Sequence, residues 1–246
     1  LVKWRNDFIQ KNKFTRPSAL LSGVKKIVLH WTANPGASAK NHQKYFNSTA
    51  IESKRTASAH IFVDSKEAVC IIPLNEVAYH ANDNAQVLLG KPYRGVDELK
   101  PNANKLSIGV EMCVEDDETI SPATVQRTVE VIAELCKIYS LTEEDIVRHY
   151  DVTHKNCPTP FVRNSSLFDD FKKRVGDILH PPVYPGTLLK TGSKGEYVER
   201  VQKRLNVPVT SVFDGVTLRA LKEFQKANGL VSDGIVGPKS WSVLFK

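Results

Sequence analysis

The segment His180-Pro181-Pro182-Val183-Tyr184-Pro185-Gly186 constrains the fold more than any other stretch of this 246-residue chain. Each proline fixes φ and removes a backbone donor, so neither a helix nor a central strand runs through it. The segment reads as a stiff, extended connector. It predicts a first domain over residues 1–178, a Pro-rich linker over 179–187 and a second domain over 188–246. A hydrophobic content of 41% is enough for one sizeable core and one smaller one. The longest apolar runs, such as Ile27-Val28-Leu29, fall far short of the roughly 18 residues a membrane helix needs, so no membrane insertion is expected.

Before the connector the pattern is α/β. Val24 to Trp31 reads as a buried strand, Ala39 to Phe46 as a helix, and Ala59 to Val63 with Ala68 to Ile72 as a hairpin around Asp64-Ser65-Lys66-Glu67. Ser107 to Val114 alternates, sending Ile108, Val110, Met112 and Val114 to one face and Glu111 with Cys113 to the other. Ser121-Pro122 supplies an N-cap and a first-turn proline. Val125, Val129, Ile132, Cys136 and Tyr139 then form one helical stripe that predicts packing on the sheet. The expected fold class is a mixed central sheet flanked by helices, followed by a small three-helix domain.

That second domain is read from three short amphipathic stretches: Val198, Val201 and Leu205; Leu218, Leu221 and Phe224; Trp241, Leu244 and Phe245. Phe213-Asp214-Gly215 and Ser232-Asp233-Gly234 separate them as loops with helix-start polar groups. Of the net charge of +7, residues 188–246 carry +5, from ten Lys/Arg against five Asp/Glu. Such an excess suits an anionic wall polymer as well as nucleic acid, but there is no zinc-finger spacing and no run of strand aromatics, so nucleic acid ranks last.

Four cysteines without a Cys-x-x-Cys pair predict reduced thiols rather than a disulfide scaffold. The opening residues Leu1-Val2-Lys3-Trp4 lack the apolar stretch of a secretory signal, so export, if it occurs, needs another route.

The chemistry concentrates in Arg148-His149-Tyr150-Asp151-Val152-Thr153-His154-Lys155-Asn156-Cys157-Pro158, which sets imidazole, amine and thiol together with no apolar period. A catalytic zinc site takes three nitrogen, sulfur or oxygen ligands and leaves a position open to water. His149 and Cys157, joined by His30 at the exit of the first strand, supply that count. His154 in place of His149, Asp151 as a carboxylate ligand, and Cys157 as a small buried hydrophobe are the alternatives. A closed structural site would take a fourth ligand from His154, Asp151 or His60.

Glu111 stands in an otherwise apolar strand, where an unpartnered carboxylate is costly, and beside a metal it would accept a proton. Lys155, two residues before Cys157, would stabilise an oxyanion or else face solvent as a loop lysine. His60 and His80 are substrate-side candidates. His42 and His180 read as surface residues without a role, and Cys70 and Cys136 as core.

Taken together, Ile27-Val28-Leu29-His30-Trp31-Thr32, Ser58-Ala59-His60, Ser107-Ile108-Gly109-Val110-Glu111 and His149 to Cys157 resemble the zinc N-acetylmuramoyl-L-alanine amidases. That family includes phage lysozyme-type amidases and is related to peptidoglycan recognition proteins. The resemblance covers residues 20 to 175 in order. It implies zinc on His30, His149 and Cys157, Glu111 as catalytic base, Lys155 as transition-state stabiliser and, more loosely, His80 as a cleft histidine.

The tail is similar to the helical peptidoglycan-binding domain through Leu189 to Gly195, Val201 to Leu205, Phe224-Gln225-Lys226, Gly229-Leu230 and Asp233 to Pro238, and departs from it in the short stretch Val207 to Val212. A monomer is expected, and the resemblance implies a phage or prophage endolysin that acts on the bacterial cell wall and leaves the cell by holin-type release or is otherwise secreted. It cleaves the amide between the N-acetylmuramic acid lactyl group and L-alanine. The alternatives are a peptidoglycan-recognition protein without catalysis and a zinc enzyme cutting elsewhere in the stem peptide.

Overall fold

The computed structural model describes residues 3–245. Residues 1, 2 and 246, which belong to the expected domain ranges, lie outside the described residues. The chain divides into two compact units, Leu1–Leu179 and His180–Lys246.

In chain order, the first unit runs β1 Arg5–Asn6, β2 Lys26–Trp31, α1 Ala39–Asn47, α2 Thr49–Glu52, β3 Ile61–Val63, β4 Ala68–Cys70, β5 Val87–Leu88 and β6 Lys91–Pro92. It continues with β7 Ser107–Met112, α3 Pro122–Tyr139, β8 Ile146–Arg148, α4 His149–Thr153, α5 Thr159–Arg163 and α6 Ser165–Leu179. Six strands form one sheet in the order β1-β4-β3-β7-β2-β8, while β5 and β6 pair separately as a hairpin. Among the described residues, only β3 and β4 pair antiparallel within the large sheet. β2 lies between parallel partners β7 and β8, and Ile27, Val28 and Leu29 are wholly buried, as the middle of a sheet covered on both faces requires.

The register assigns the two faces. Ile27 pairs with Ile108 and Leu29 with Val110, so these four side chains meet the α3 stripe of Val129, Ile132 and Cys136 in the main core. Val125 and Tyr139, at the ends of that stripe, pack against the same core while part-buried. Ser121 caps α3 by accepting from Thr124 N. The opposite face carries Val28, His30, Gly109 and Glu111, with α1 covering the β3–β4 end by packing Ala39 and Phe46 with Phe62 of β3.

The second unit holds α7 Glu196–Arg204, α8 Gly215–Ala227 and α9 Pro238–Leu244 around Val198, Val201, Leu221, Trp241 and Leu244. Part of the Pro-rich segment is tied to this unit: Trp241 Nε1 donates to Pro182 O at 2.6 Å, and Tyr184 lies edge-on to the Trp241 ring. Asp214 caps α8 by accepting from Thr217 N at 2.8 Å, as its loop position predicts. Asp233 does not start α9, which begins after Gly237; it accepts instead from Ile235 N and from Gln225 Nε2, closing its own turn.

The unit also contains a repeat of 23 residues that shares α8. Buried Gln202 donates Nε2 to Thr210 Oγ1, Val212 O and Thr217 Oγ1, each at 2.9 Å. Buried Gln225 donates to the equivalents Asp233 Oδ1, Ile235 O and Ser240 Oγ at 2.9 to 3.1 Å. The left-handed positions recur with it, Asn206 and Ser211 in the first copy and Gly229 and Gly234 in the second.

Candidate metal centre and catalytic cleft

His30 is the last residue but one of β2, and Glu111, its register partner, the last but one of β7. Both therefore stand at the carboxyl ends of parallel strands, where open α/β sheets present ligand sites. β8 pairs with β2 up to Arg148, so the next residue, His149, emerges beside His30 as the start of α4. Their rings meet edge to face with centroids 4.6 Å apart. α4 ends at His154 with φ of 62°, the chain doubles back, and Tyr150 N donates to Cys157 O at 3.0 Å. That return brings Cys157 Sγ within 3.8 Å of His30 Nδ1.

Among the described residues, His30, His149 and Cys157 form a buried group whose three ligand atoms lie within 4.8 Å of one another. The donor set fits a metal ion. One observation beyond proximity supports this: both ring nitrogens of His149 are buried without a hydrogen-bond partner, Nε2 lying 3.0 Å from the Asp83 Oδ2 carboxylate oxygen. A buried ring nitrogen without a partner is costly unless something accepts its lone pair.

Electrostatics agree with that use. Burial, reinforced by the neighbouring His149 and His80, holds the His30 imidazole well below its ordinary pKa, so it is neutral as a ligand must be. Burial also lowers His149, opposed by the Asp83 carboxylate. Burial pushes the Cys157 thiol up to about 12, with Glu111 adding to the effect, so the thiolate needs a cation beside it.

Glu111 and Lys155 line the same cleft of about 660 Å³, together with Trp31, Tyr45, Arg55 and His42. Glu111 Oε2 is buried and unpartnered. Burial raises its carboxyl to about 7, with Lys155 and Arg55 pulling it back down. The Lys155 ammonium is more than half exposed and lies 3.7 Å from Asp83 Oδ2.

The alternative ligands are occupied elsewhere. Asp151 forms an ion pair with Arg148 at 2.7 Å and caps the start of α4. His154 is stacked between Tyr93 and Tyr150 and contacts Gln86. His60 is fully buried, accepting from Gly109 N at 3.0 Å and donating to Glu76 O at 2.9 Å, so neither ring nitrogen is left for a metal or a substrate. His80 sits behind His30, its Nδ1 3.1 Å from His30 Nε2. His60 thus supports the site from the protein side, whereas His80 both backs His30 and contributes to the cleft lining.

His42 is not a surface residue: it is buried, stacked on Phe62 at 5.0 Å and 10°, and hydrogen-bonded through Nδ1 to Ser38 O. His180 is exposed, and Cys70 and Cys136 are free thiols in the core. Asp83 was not singled out by sequence reasoning. Its only signal is a polar loop, Asn82-Asp83-Asn84, of a kind that mostly faces solvent.

This sheet, with two imidazoles and a thiol gathered at its carboxyl edge, defines the chain's class. Residues 21–160 match the family model for N-acetylmuramoyl-L-alanine amidase, and the chain belongs to that family. Residues 194–244 match the peptidoglycan binding domain model.

Among curated relatives, the amidase BlyA of Bacillus subtilis (strain 168) is 61% identical over 172 residues, covering 69% of this chain and 46% of BlyA. The amidase CwlL of Bacillus licheniformis is 45% identical over 266 residues, covering 99% of this chain and 72% of CwlL. Among solved structures, a mutant endolysin from Bacillus subtilis superposes with a TM-score of 0.56 at 27% identity, covering 72% of this chain and all of that one. Among the described residues no helix is long and apolar enough to cross a membrane.

Proposed function

We propose that this chain hydrolyses the amide between the lactyl group of N-acetylmuramic acid and L-alanine in peptidoglycan. The observation that carries the reading is the convergence of His30, His149 and Cys157 in a cleft that also presents Glu111 and Lys155. The two nitrogens and one sulfur would hold zinc. Zinc bound there supplies a Lewis acid and lowers the pKa of water towards about 7.

Glu111 accepts a proton from the attacking water and returns it to the leaving alanine nitrogen. Its raised pKa of about 7 suits both halves of that task near neutral pH. Lys155, which lines the cleft, faces the oxygen on which negative charge develops. Asp83 holds His149 on one side and restrains Lys155 on the other, at 3.0 and 3.7 Å. All these side chains come from one chain, which supports action as a monomer.

The second unit would keep the enzyme on the insoluble wall and raise the local substrate concentration rather than improve the chemistry. Likeness to an endolysin supports a role in phage or prophage lysis. The test is mass spectrometry of purified sacculi digested with and without a chelator. The expected products are free lactyl-muramic ends and new L-alanine amino termini, lost with the chelator and regained with zinc. Cleavage only at later bonds of the stem peptide, or binding without new amine termini, would overturn the reading.

A further inference from the structure

Behind the ligands, a run of hydrogen bonds leaves His30 only one way to carry its proton. Ser107 Oγ donates to Ala103 O at 2.7 Å, so its hydrogen is spent and it offers His80 Nε2, 3.4 Å away, only lone pairs. His80 Nε2 must therefore be the protonated nitrogen. In a neutral imidazole the other nitrogen then accepts, and His80 Nδ1 faces His30 Nε2 at 3.1 Å. His30 Nε2 is thereby the donor, and its Nδ1, 3.8 Å from Cys157 Sγ, carries the free lone pair. The opposite arrangement would place a hydrogen on Nδ1, pointing at the site where a lone pair is required.

The scaffold holds this arrangement by shape as well. A Cβ on Gly109 would stand 2.6 Å from His80 Cγ and 2.7 Å from its Nδ1, so the β7 backbone is pressed against the His80 ring and only glycine fits. His60 packs edge-on to His80 at 5.6 Å with both of its own nitrogens bonded to backbone, so it cannot compete for either nitrogen of His80. His80 N donates to Asn104 Oδ1 at 3.0 Å, which fixes the backbone from which the ring projects.

We propose that His80 is a positioning residue that, seated on Gly109 and anchored through Ser107 to the Ala103 carbonyl, locks His30 in the Nε2–H form so that Nδ1 is presented to the metal. The proposal rests on the metal-binding reading, but its core statement concerns the metal-free protein. Hydrogen-bond acceptors behind ligating histidines fix ring tautomer and orientation, and their loss typically costs about 10–100-fold in metal affinity.

The test uses the full chain. Long-range 15N–1H correlation spectra of the metal-free protein should show His30 protonated at Nε2 and His80 likewise. His80→Phe keeps a ring of similar size and removes the acceptor. It should give His30 a mixed tautomer and weaken zinc binding, measured against a chromophoric chelator, by about 10–100-fold. His80→Asn, whose side-chain oxygen falls near the position of Nδ1, should recover most of that affinity, which a merely space-filling role would not predict. Gly109→Ala should reproduce the loss by displacing the ring.

A wild-type His30 protonated at Nδ1 would overturn the proposal without any variant having to fold. So would a folded His80→Phe protein that binds zinc as tightly as wild type. A wild-type chain that takes up no zinc while showing the expected tautomers would instead overturn the metal reading beneath it.

Discussion

The repeat in the second unit allows one perturbation to be made twice. Gln202 and Gln225 are both wholly buried and stand 23 residues apart, each tying its helix to the loop that follows. Gln202 has three acceptors sharing the two hydrogens of Nε2, and its Oε1 accepts from Thr210 N and Ser211 N. Gln225 has three acceptors on Nε2 in the same way, and its Oε1 accepts from Gly234 N at 2.9 Å. Each such bond contributes about 0.5–1.5 kcal/mol net. Thr210 and Ser211 border solvent and regain water when the amide is removed, so the larger count at Gln202 is partly offset.

Gln202→Ala and Gln225→Ala should therefore each cost about 3 kcal/mol. For a unit of this size that is a fall of about 12–24 °C in the midpoint of its unfolding transition. Calorimetry on the full chain measures it, with retention on sacculi across the lowered transition as the functional counterpart. A loss below about 1 kcal/mol at either position, or a large loss at one only, would refute the equivalence of the two glutamines.

Lys155→Ala should reduce kcat by about 10²–10³, or about 2.7–4 kcal/mol of activation free energy, with little change in binding; a rise in KM alone would remove Lys155 from the oxyanion. Zinc binding at pH 8, where Glu111 with a pKa of about 7 is already ionised, should release about one proton, because the Cys157 thiol at about 12 must ionise to ligate; calorimetry in buffers of different ionisation enthalpy reads the number, and zero would remove Cys157 from the ligand set. The Arg16 guanidinium, paired with Glu76 at 2.7 Å with both side chains nearly buried, holds the Glu76 carboxyl below its ordinary range. Its contribution is therefore full above the unfolded carboxylate pKa of about 4.3 and is lost as pH falls through the lowered folded value. Arg16→Met should cost about 3 kcal/mol in urea denaturation at pH 7 and progressively less as pH falls through the lowered folded value; a cost that does not change with pH would assign the loss to packing.

The parts of this site that sequence made legible are those set by local pattern. Alternation in Ser107 to Met112 turned Glu111 away from the apolar face, and strand order carried it to the same edge as His30. Spacing brought Cys157 back to His149, because a segment without an apolar period has no core to enter and is free to fold on itself. Hydrogen-bond identity was not legible. His60 reads as a cleft residue, yet its partners are Glu76 and Gly109; His80 does line the cleft, but its contacts with Ser107 and His30 are ones that only the sheet brings together.

His42 was misread for a similar reason. A helix polar in composition still buries one face, and here that face stacks on Phe62. Gly109 did carry a signal, since glycine inside a strand marks a close approach, but the alternation around it drew attention to its neighbours. The 23-residue repeat is not legible in the sequence, because its copies overlap in α8 and keep few identical residues, among them Gln202 and Gln225.

X-ray absorption at the zinc edge of the purified chain tests the central claim most directly. The account predicts one metal ion per chain with one sulfur at about 2.3 Å, two imidazole nitrogens at about 2.0–2.1 Å and one further light atom. A spectrum with no sulfur, or with four protein ligands and no position for solvent, would contradict it.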